Sequence, residues 1–157
     1  MESKRLQTAK KFLSHFETLD SDTLASVLAP DYTHHFAPAS LAFPGPFTKE
    51  QFVKHGAALR KIMTGFPVYA REYVESEASN QVTVWATSRA LFREEVVRDE
   101  EDKEKWNFEG EYVFMFWMDE TGEKIVRTVE FLDSKGTESV RPLLKIANEK
   151  MQAQHWF

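Results

Sequence analysis

The sequence predicts an α+β fold in which helices pack on the concave face of a strongly curved, cone-shaped antiparallel sheet. Stretches with apolar residues at helical spacing occupy the N-terminal part of the chain and its last part. Between them, residues 68–133 contain long runs rich in aromatic and β-branched residues. The chain also has 13 phenylalanines, four tryptophans and four tyrosines, which suit either an enclosed apolar pocket or a large aromatic core.

The length of 157 residues predicts a single domain that spans residues 1–157. The lack of cysteine excludes disulfides, thiolate metal sites and a thiol nucleophile. A net charge of −5 argues against a nucleic-acid surface, and no apolar run reaches the roughly 18 residues that cross a membrane. Because the N-terminal segment is polar and lacks a signal-peptide core, we expect a cytoplasmic protein whose partners are small molecules or proteins.

Two helices are predicted at the start of the chain. Apolar residues recur at helical spacing through residues 6–16, and Ser21 can cap a second, shorter helix that ends before Pro30. The proline-rich segment 31–47 then predicts a short extended piece followed by an irregular loop.

The third helix has the clearest start in the chain. Thr48 and Gln51 match the capping-box pattern, and apolar residues continue at helical spacing to Phe66. Gly65 and Pro67 are expected to end this helix.

Four long strands are predicted next, followed by a closing helix. Residues 68–76 and 82–92 form one pair of strands, and the charged segment 94–105 is predicted to be a solvated hairpin end. The closing helix is predicted over residues 139–151, and the segment 152–157 either frays or covers apolar surface.

The remaining two strands form a long hairpin over residues 106–133, which turns at 119–122. Strand alternation gives the first arm two faces. One face carries Phe108, Gly110, Tyr112, Phe114 and Phe116, and the other carries Glu109, Glu111, Val113, Met115 and Trp117. On the second arm, Val129 and Phe131 alternate with Thr128, Glu130 and Leu132.

Neither face of this hairpin is plainly polar, so both are expected to be covered. Helices cover the inner face, and a homodimer through the outer face would hide the apolar side chains there. These outer side chains are Val113, Met115, Trp117, Val129 and Phe131.

Glu130 is a carboxylate inside an apolar run. Two interpretations follow from the residues alone. Glu130 either points to solvent from a sheet edge, or it lines a cavity in which burial raises its pKa and equips it for proton transfer.

The order of elements, the segment DYTHHFAP (31–38) and the ending GEKIVRTVEFLD (122–133) together resemble one known group of proteins. The chain is similar to the SnoaL-like branch of the nuclear transport factor 2-like superfamily. It looks most similar to the small fungal isomerases and cyclases of polyketide, meroterpenoid and indole-alkaloid pathways. The resemblance implies a cone-shaped α+β barrel with a pocket at its open mouth.

The resemblance also implies roles for three residues. The family's GKIVEHWD pattern places its acid/base aspartate on Glu130, and family isomerases that catalyse semipinacol-type rearrangements carry a tyrosine where Tyr112 lies. His35 matches the histidine of the family's DYxxH pattern and is the expected third catalytic residue, with a structural role in the loop as the alternative. Strand alternation puts His34 on the opposite face. The family's pocket arginine has no counterpart here, since His35 and Ala37 occupy that region.

Further side chains are candidates for substrate binding. Arg89 can neutralise developing negative charge or pair with Glu130, or it can reach solvent past the rim. The other candidates are Trp85, Phe108, Phe114, Thr128 and Met63, of which Trp85, Phe114 and Met63 can instead be core.

The sequence predicts neither a metal site nor a nucleotide cofactor. The histidines lack partners at metal-ligand spacing, and Gly-rich phosphate loops are missing. The leading hypothesis is a cofactor-independent isomerase or cyclase, with a dehydratase as a variant, that acts on a large, mostly apolar secondary metabolite by acid/base chemistry. The alternative is a non-catalytic module that binds a small molecule or a protein.

Overall fold

The computed structural model describes residues 1–153. Its α-helices are α1 (Lys4–Ser14), α2 (Ser21–Val27), α3 (Lys49–Leu59), α4 (Glu94–Val97) and α5 (Ser134–Lys150). Its strands are β1 (Leu28–Ala37), β2 (Phe47–Thr48), β3 (Met63–Gly65), β4 (Val68–Ser76), β5 (Gln81–Arg89), β6 (Leu91–Phe92), β7 (Glu109–Met118) and β8 (Ile125–Leu132). None of the helices in this part of the chain is long and apolar enough to cross a membrane.

Six strands form one sheet in the order β2-β1-β8-β7-β5-β4, and β3 pairs with β6 in a separate small sheet. All paired strands run antiparallel except β1 and β8, which are parallel. Register shifts interrupt the β1–β8, β4–β5 and β7–β8 pairings, and such irregularities bend a sheet. The predicted α+β class is confirmed, although the sheet is mixed.

The helices cover the inner face of this sheet. The ring of Phe12 in α1 contacts Phe114 and Phe116 of β7 as well as Phe52 of α3, at centroid distances of 4.9 to 6.2 Å. Burial alternates along β7 as the period of two predicts, with the Phe114 face inside. The core is therefore an aromatic layer between the helices and the sheet.

Local signals explain the main turn and the start of α3. Gly122 has φ 77° at the β7–β8 turn, a conformation that favours glycine, and Asp119 Oδ1 accepts the backbone N–H of Thr121 and of Gly122. At α3, Gln51 N–H donates to Thr48 Oγ1 and Thr48 N–H donates to Gln51 Oε1, so the predicted capping box is confirmed.

Several predicted boundaries are wrong. Helix α3 ends at Leu59, and the buried residues that follow enter the short strand β3. Helix α5 begins at Ser134 because the Asp133 carboxylate caps it by accepting Gly136 N–H at 3.1 Å. The charged segment 94–105 is only partly solvated, since it contains α4 and the fully buried Val96. The prediction for residues 154–157 lies outside the described residues.

Candidate active site

A cavity of about 90 Å³ lies between the inner sheet face and the helices α2, α3 and α5. Its wall is mostly apolar, and polar side chains reach it at a few positions only. Six phenylalanines line it, namely Phe16, Phe36, Phe43, Phe52, Phe66 and Phe108. The polar or titratable side chains in the wall are His15, His55, Tyr112, Glu130 and Thr137.

Glu130 is the acidic group of this cavity. Strand β8 directs it inward, and its side chain is so enclosed that only 8% of the residue is exposed. Removal from water disfavours the carboxylate, and this raises the pKa of Glu130 from 4.5 to about 8. At neutral pH the folded protein therefore holds this side chain mainly as a carboxylic acid.

His34 supports Glu130 from the side away from the cavity. Its Nε2 lies 2.9 Å from Glu130 Oε1, and its Nδ1 lies 2.6 Å from the hydroxyl of Tyr32. The imidazole stacks on Phe52 with a centroid distance of 3.7 Å and an interplanar angle of 12°. Burial lowers the pKa of His34 well below its ordinary value, so the ring is neutral.

Tyr112 places its phenol on the β7 wall of the cavity. Its hydroxyl lies 2.6 Å from Ser88 Oγ of β5. The ring folds back over Gly110, where an added Cβ would lie only 2.0 Å from the Tyr112 oxygen, so the site needs glycine at this position. Burial raises the pKa of Tyr112, and the phenol is a hydrogen-bond donor throughout the physiological pH range.

Two further histidines line the cavity. Burial lowers the pKa of His15 to about 4 and that of His55 to about 3. His15 Nδ1 lies 2.5 Å from the carbonyl oxygen of Phe12, which fixes the proton of a neutral ring on that nitrogen. With Glu130 protonated, the cavity is lined by uncharged groups at neutral pH.

The orientation predicted for His35 is wrong. Along β1 the inward residues are Tyr32, His34 and Phe36, so His35 is half-buried on the other face, beside Val129 of β8. The inward position of Tyr32, a large aromatic residue two positions before His34, was the available signal.

The pocket positions predicted for Arg89 and Trp85 are also wrong. The buried face of β5 carries Val82, Val84, Ala86 and Ser88, so the odd-numbered residues point outward. Arg89 is exposed, and the Trp85 indole N–H donates to Glu111 on the outer face at 2.7 Å. Arg89 therefore cannot pair with Glu130.

The remaining predicted residues divide between the cavity wall and the core. Phe108 and Met63 line the cavity together with Tyr112 and Glu130. Phe114 and Thr128 lie on the inner face but are fully buried in the core.

The sequence did not point to His15, His55 and Ser88, because their inward positions depend on how the helices and strands pack. Among residues 1–153, no group of three His, Asp or Glu side chains is arranged to hold a metal ion.

Comparisons with known proteins agree with this architecture. No family model matches the chain. Austinoid biosynthesis cluster protein H from Aspergillus calidoustus is 26% identical over 132 residues, which cover 82% of each chain. The structure of the BvnE pinacolase from Penicillium brevicompactum superposes with a TM-score of 0.77 at 20% identity, covering 92% of this chain and 96% of that one.

A third comparison identifies the fold by name. A nuclear transport factor 2-like protein of unknown function from Burkholderia pseudomallei superposes with a TM-score of 0.66 at 15% identity, covering 89% of this chain and 97% of that one. The resemblance predicted from the sequence is therefore confirmed at the level of the fold: the chain has the fold of nuclear transport factor 2-like proteins, and one protein similar to it belongs by name to an austinoid biosynthesis cluster.

Proposed function

We propose that the protein is a cofactor-independent isomerase or cyclase of secondary metabolism, in which Glu130 transfers a proton within an aromatic cavity. The observation that carries this proposal is a buried carboxyl group, protonated at neutral pH, that faces an apolar cavity and is hydrogen-bonded from behind by His34. Two relatives support it by name, one as a biosynthesis cluster protein and the other as a pinacolase.

The protonation state of the site favours a reaction that begins with proton donation. Glu130 gives its proton to a substrate oxygen that stays in the product, such as that of a carbonyl or epoxide group, and becomes a carboxylate. The carboxylate then takes a proton from another position of the rearranged substrate. One proton leaves and one returns, so the reaction is a net isomerisation and needs no cofactor to balance it.

Other residues of the cavity assist this sequence. The Tyr112 phenol can donate a hydrogen bond to a carbonyl or alkoxide oxygen of the substrate. The faces of Phe36, Phe52 and Phe108 can stabilise positive charge that develops on carbon, since aromatic rings attract cations. The uncharged wall favours a neutral, mostly apolar substrate.

A large substrate must displace part of the wall, because about 90 Å³ is less than the roughly 300–1,000 Å³ of ordinary ligand pockets. The segment 38–46 joins β1 to β2 and contributes to the wall. It contributes Phe43, whose ring lies 4.2 Å from the Arg141 guanidinium of α5, and Leu41, whose carbonyl oxygen accepts a hydrogen bond from Arg141. We propose that these contacts break when substrate enters.

The experiment is a mass-spectrometric search for turnover. The protein is incubated with a metabolite extract from a culture that lacks it, and compounds consumed are matched with products. An isomerase gives a product of unchanged exact mass, whereas a dehydratase gives a product lighter by one water. If no compound is consumed but one is retained by the protein, the site is a binding module instead.

Substitutions then assign the chemistry. Glu130→Gln should fold normally and lower turnover by about 10² to 10⁴, the usual contribution of a positioned acid or base. Tyr112→Phe should lower turnover by about 10², mainly in kcat. Glu109→Gln, at an exposed outer-face carboxylate of β7, is the matched control. Wild-type turnover in Glu130→Gln would remove Glu130 from the mechanism.

A further inference from the structure

We propose that Tyr32, which does not itself line the cavity, is a positioning residue that aims the acidic proton of Glu130 into the cavity. It acts through the tautomer of His34. This inference rests on the proposed function in one respect, namely that Glu130 is the acid. The tautomer of His34 is argued from the hydrogen bonds among the three side chains.

The three side chains form a line that leads away from the cavity. Glu130 lines the cavity, His34 lies behind it and Tyr32 lies behind His34, with contacts of 2.9 Å and 2.6 Å between the polar atoms. His34 and Tyr32 are buried, at 0% and 1% exposure, so water does not complete their hydrogen bonds. Each group in the line must therefore be satisfied by its neighbours.

Two arrangements of protons fit these distances when Glu130 is protonated. In the first, Tyr32 O–H donates to His34 Nδ1, His34 Nε2–H donates to Glu130 Oε1, and the acidic proton sits on Glu130 Oε2. In the second, Glu130 donates its proton to His34 Nε2, and His34 Nδ1–H donates to the Tyr32 oxygen. Only the first leaves the acidic proton free for a substrate.

Hydrogen-bond satisfaction selects the first arrangement. Each arrangement leaves one O–H without an acceptor in the line. In the first it is the O–H of Glu130, which lines the cavity, where a substrate oxygen can accept it, whereas in the second it is the O–H of Tyr32, which is fully buried and away from the cavity. The alternative acceptor is Thr128 Oγ1, which as a hydrogen-bonding neighbour acts to lower the pKa of Tyr32. If Tyr32 donated to it, the buried Thr128 O–H would itself lack an acceptor, since Thr128 Oγ1 has no other partner among the described residues. Burial is the larger effect and raises the pKa of Tyr32, so its hydroxyl remains a donor.

The first arrangement fixes which oxygen of Glu130 carries the acidic proton. Because Tyr32 occupies His34 Nδ1 as a donor, His34 must present N–H to Glu130 Oε1, and that oxygen becomes an acceptor. The acidic proton is confined to Oε2. After proton transfer, the same His34 N–H stabilises the Glu130 carboxylate until the proton returns, and no rearrangement of the line is needed.

The test is the tautomer of His34, measured by long-range proton–nitrogen correlation NMR on uniformly nitrogen-15-labelled protein near pH 6.5. We expect a single neutral tautomer with the proton on Nε2 in the wild type. Tyr32→Phe keeps the ring but removes the donor, so the Nδ1–H tautomer should become populated. The carbonyl stretch of protonated Glu130, identified by its absence in Glu130→Gln, should shift in Tyr32→Phe as its O–H turns toward His34.

Thr128→Val is the matched control, because it preserves shape and removes the one alternative acceptor considered above. It should leave the His34 tautomer and the Glu130 band unchanged. An Nδ1–H tautomer in the wild type overturns the proposal, and so does a Tyr32→Phe variant that folds and retains the wild-type tautomer. If Tyr32→Phe does not fold, the wild-type tautomer and Thr128→Val still decide.

Turnover separates this inference from the proposed function. With a substrate in hand, Tyr32→Phe should lower kcat on the order of tenfold and leave KM unchanged, since Tyr32 does not touch substrate. Should Glu130→Gln prove fully active, the proposed function fails, whereas the NMR result for Tyr32 and His34 is unaffected. Should the tautomer result fail while Glu130→Gln is inactive, only the inference about Tyr32 is lost.

Discussion

Glu130 shows that burial alone, without a charged partner, can raise the pKa of a carboxyl group. Burial is the cause of its raised pKa, and its hydrogen-bond partner His34 is itself held neutral by burial. A neutral imidazole gives the carboxylate much less stabilisation than an imidazolium would, so His34 orients Glu130 without restoring an ordinary pKa. This combination keeps a proton available at neutral pH.

The buried titratable groups of the cavity predict an unusual dependence of stability on pH. The folded state holds a proton on Glu130 that the unfolded state releases, so the free energy of unfolding should fall as pH rises from 4.5 toward about 8. The histidines act in the opposite direction. His15 and His55, with pKa values lowered to about 4 and about 3, cost stability as pH falls below 6.5, because the unfolded chain then binds protons that they do not.

These groups together place the stability maximum near pH 6.5. Urea denaturation across pH 5 to 9 should show that the free energy of unfolding of the wild type declines above pH 6.5. In Glu130→Gln this decline should be shallower by about 1.4 kcal/mol per pH unit between pH 6.5 and 8. Glu109→Gln should retain the wild-type slope. Parallel curves for wild type and Glu130→Gln would show that Glu130 ionises in the folded state as it does in the unfolded chain.

Gly110→Ala tests whether Tyr112 needs its observed position. An added Cβ would lie 2.0 Å from the Tyr112 oxygen and 2.7 Å from Ser88 Oγ, so the phenol must leave its place on the wall. We expect turnover to fall by about 10², as in Tyr112→Phe. In the Tyr112→Phe background the alanine should cost little more, and this non-additivity, measured in a double-mutant cycle, is the decisive readout. Fully additive losses would separate Gly110 from Tyr112.

At the scale of elements, helix α3 connects local sequence signals to the site. Its capping box fixes where the helix begins, and Phe52, His55 and Leu59 then form one wall of the cavity. The cap lies at an exposed position, so its contribution can be measured without disturbing the core.

Thr48→Ala should lower the free energy of unfolding by about 1 kcal/mol, because the N–H of Gln51 loses its acceptor. Thr48→Ser keeps a hydroxyl at the cap and should remain within a few tenths of a kcal/mol of wild type. Chemical denaturation of the three proteins gives both values. Equal destabilisation by alanine and serine would mean that the Thr48 methyl group, not the cap, is what stabilises the helix.

At the scale of the whole molecule, the outer sheet face carries large apolar side chains that are exposed to solvent. Trp85, Val113 and Phe131 are 46%, 37% and 47% exposed on neighbouring strands. We propose that a second copy of the chain covers this face, and we expect sedimentation at about tens of micromolar to show a homodimer. Phe131→Glu should give a monomer that still folds. Leu91→Glu, at an exposed position of β6 in the small sheet, should leave the dimer intact, and a wild-type monomer would contradict the proposal.

The sequence by itself determined the types of most elements, the α3 cap and the two faces of the β7–β8 hairpin. These features follow from local signals, since alternation along one strand and a helix cap depend on residues near each other in the chain. The resemblance to SnoaL-like proteins added the fold and the candidate roles of Glu130 and Tyr112.

Tertiary structure alone decided which histidine meets Glu130 and where Arg89 points. Alternation divides a strand into two faces but does not say which face is inside, and β1 carries a histidine on each. The choice came from the parallel pairing of β1 with β8, in which Phe36 lies beside Glu130 and His34 beside Thr128. That pairing joins segments far apart in the chain, and the His34–Glu130 contact spans 96 residues, so alternation within β1 alone does not reveal it.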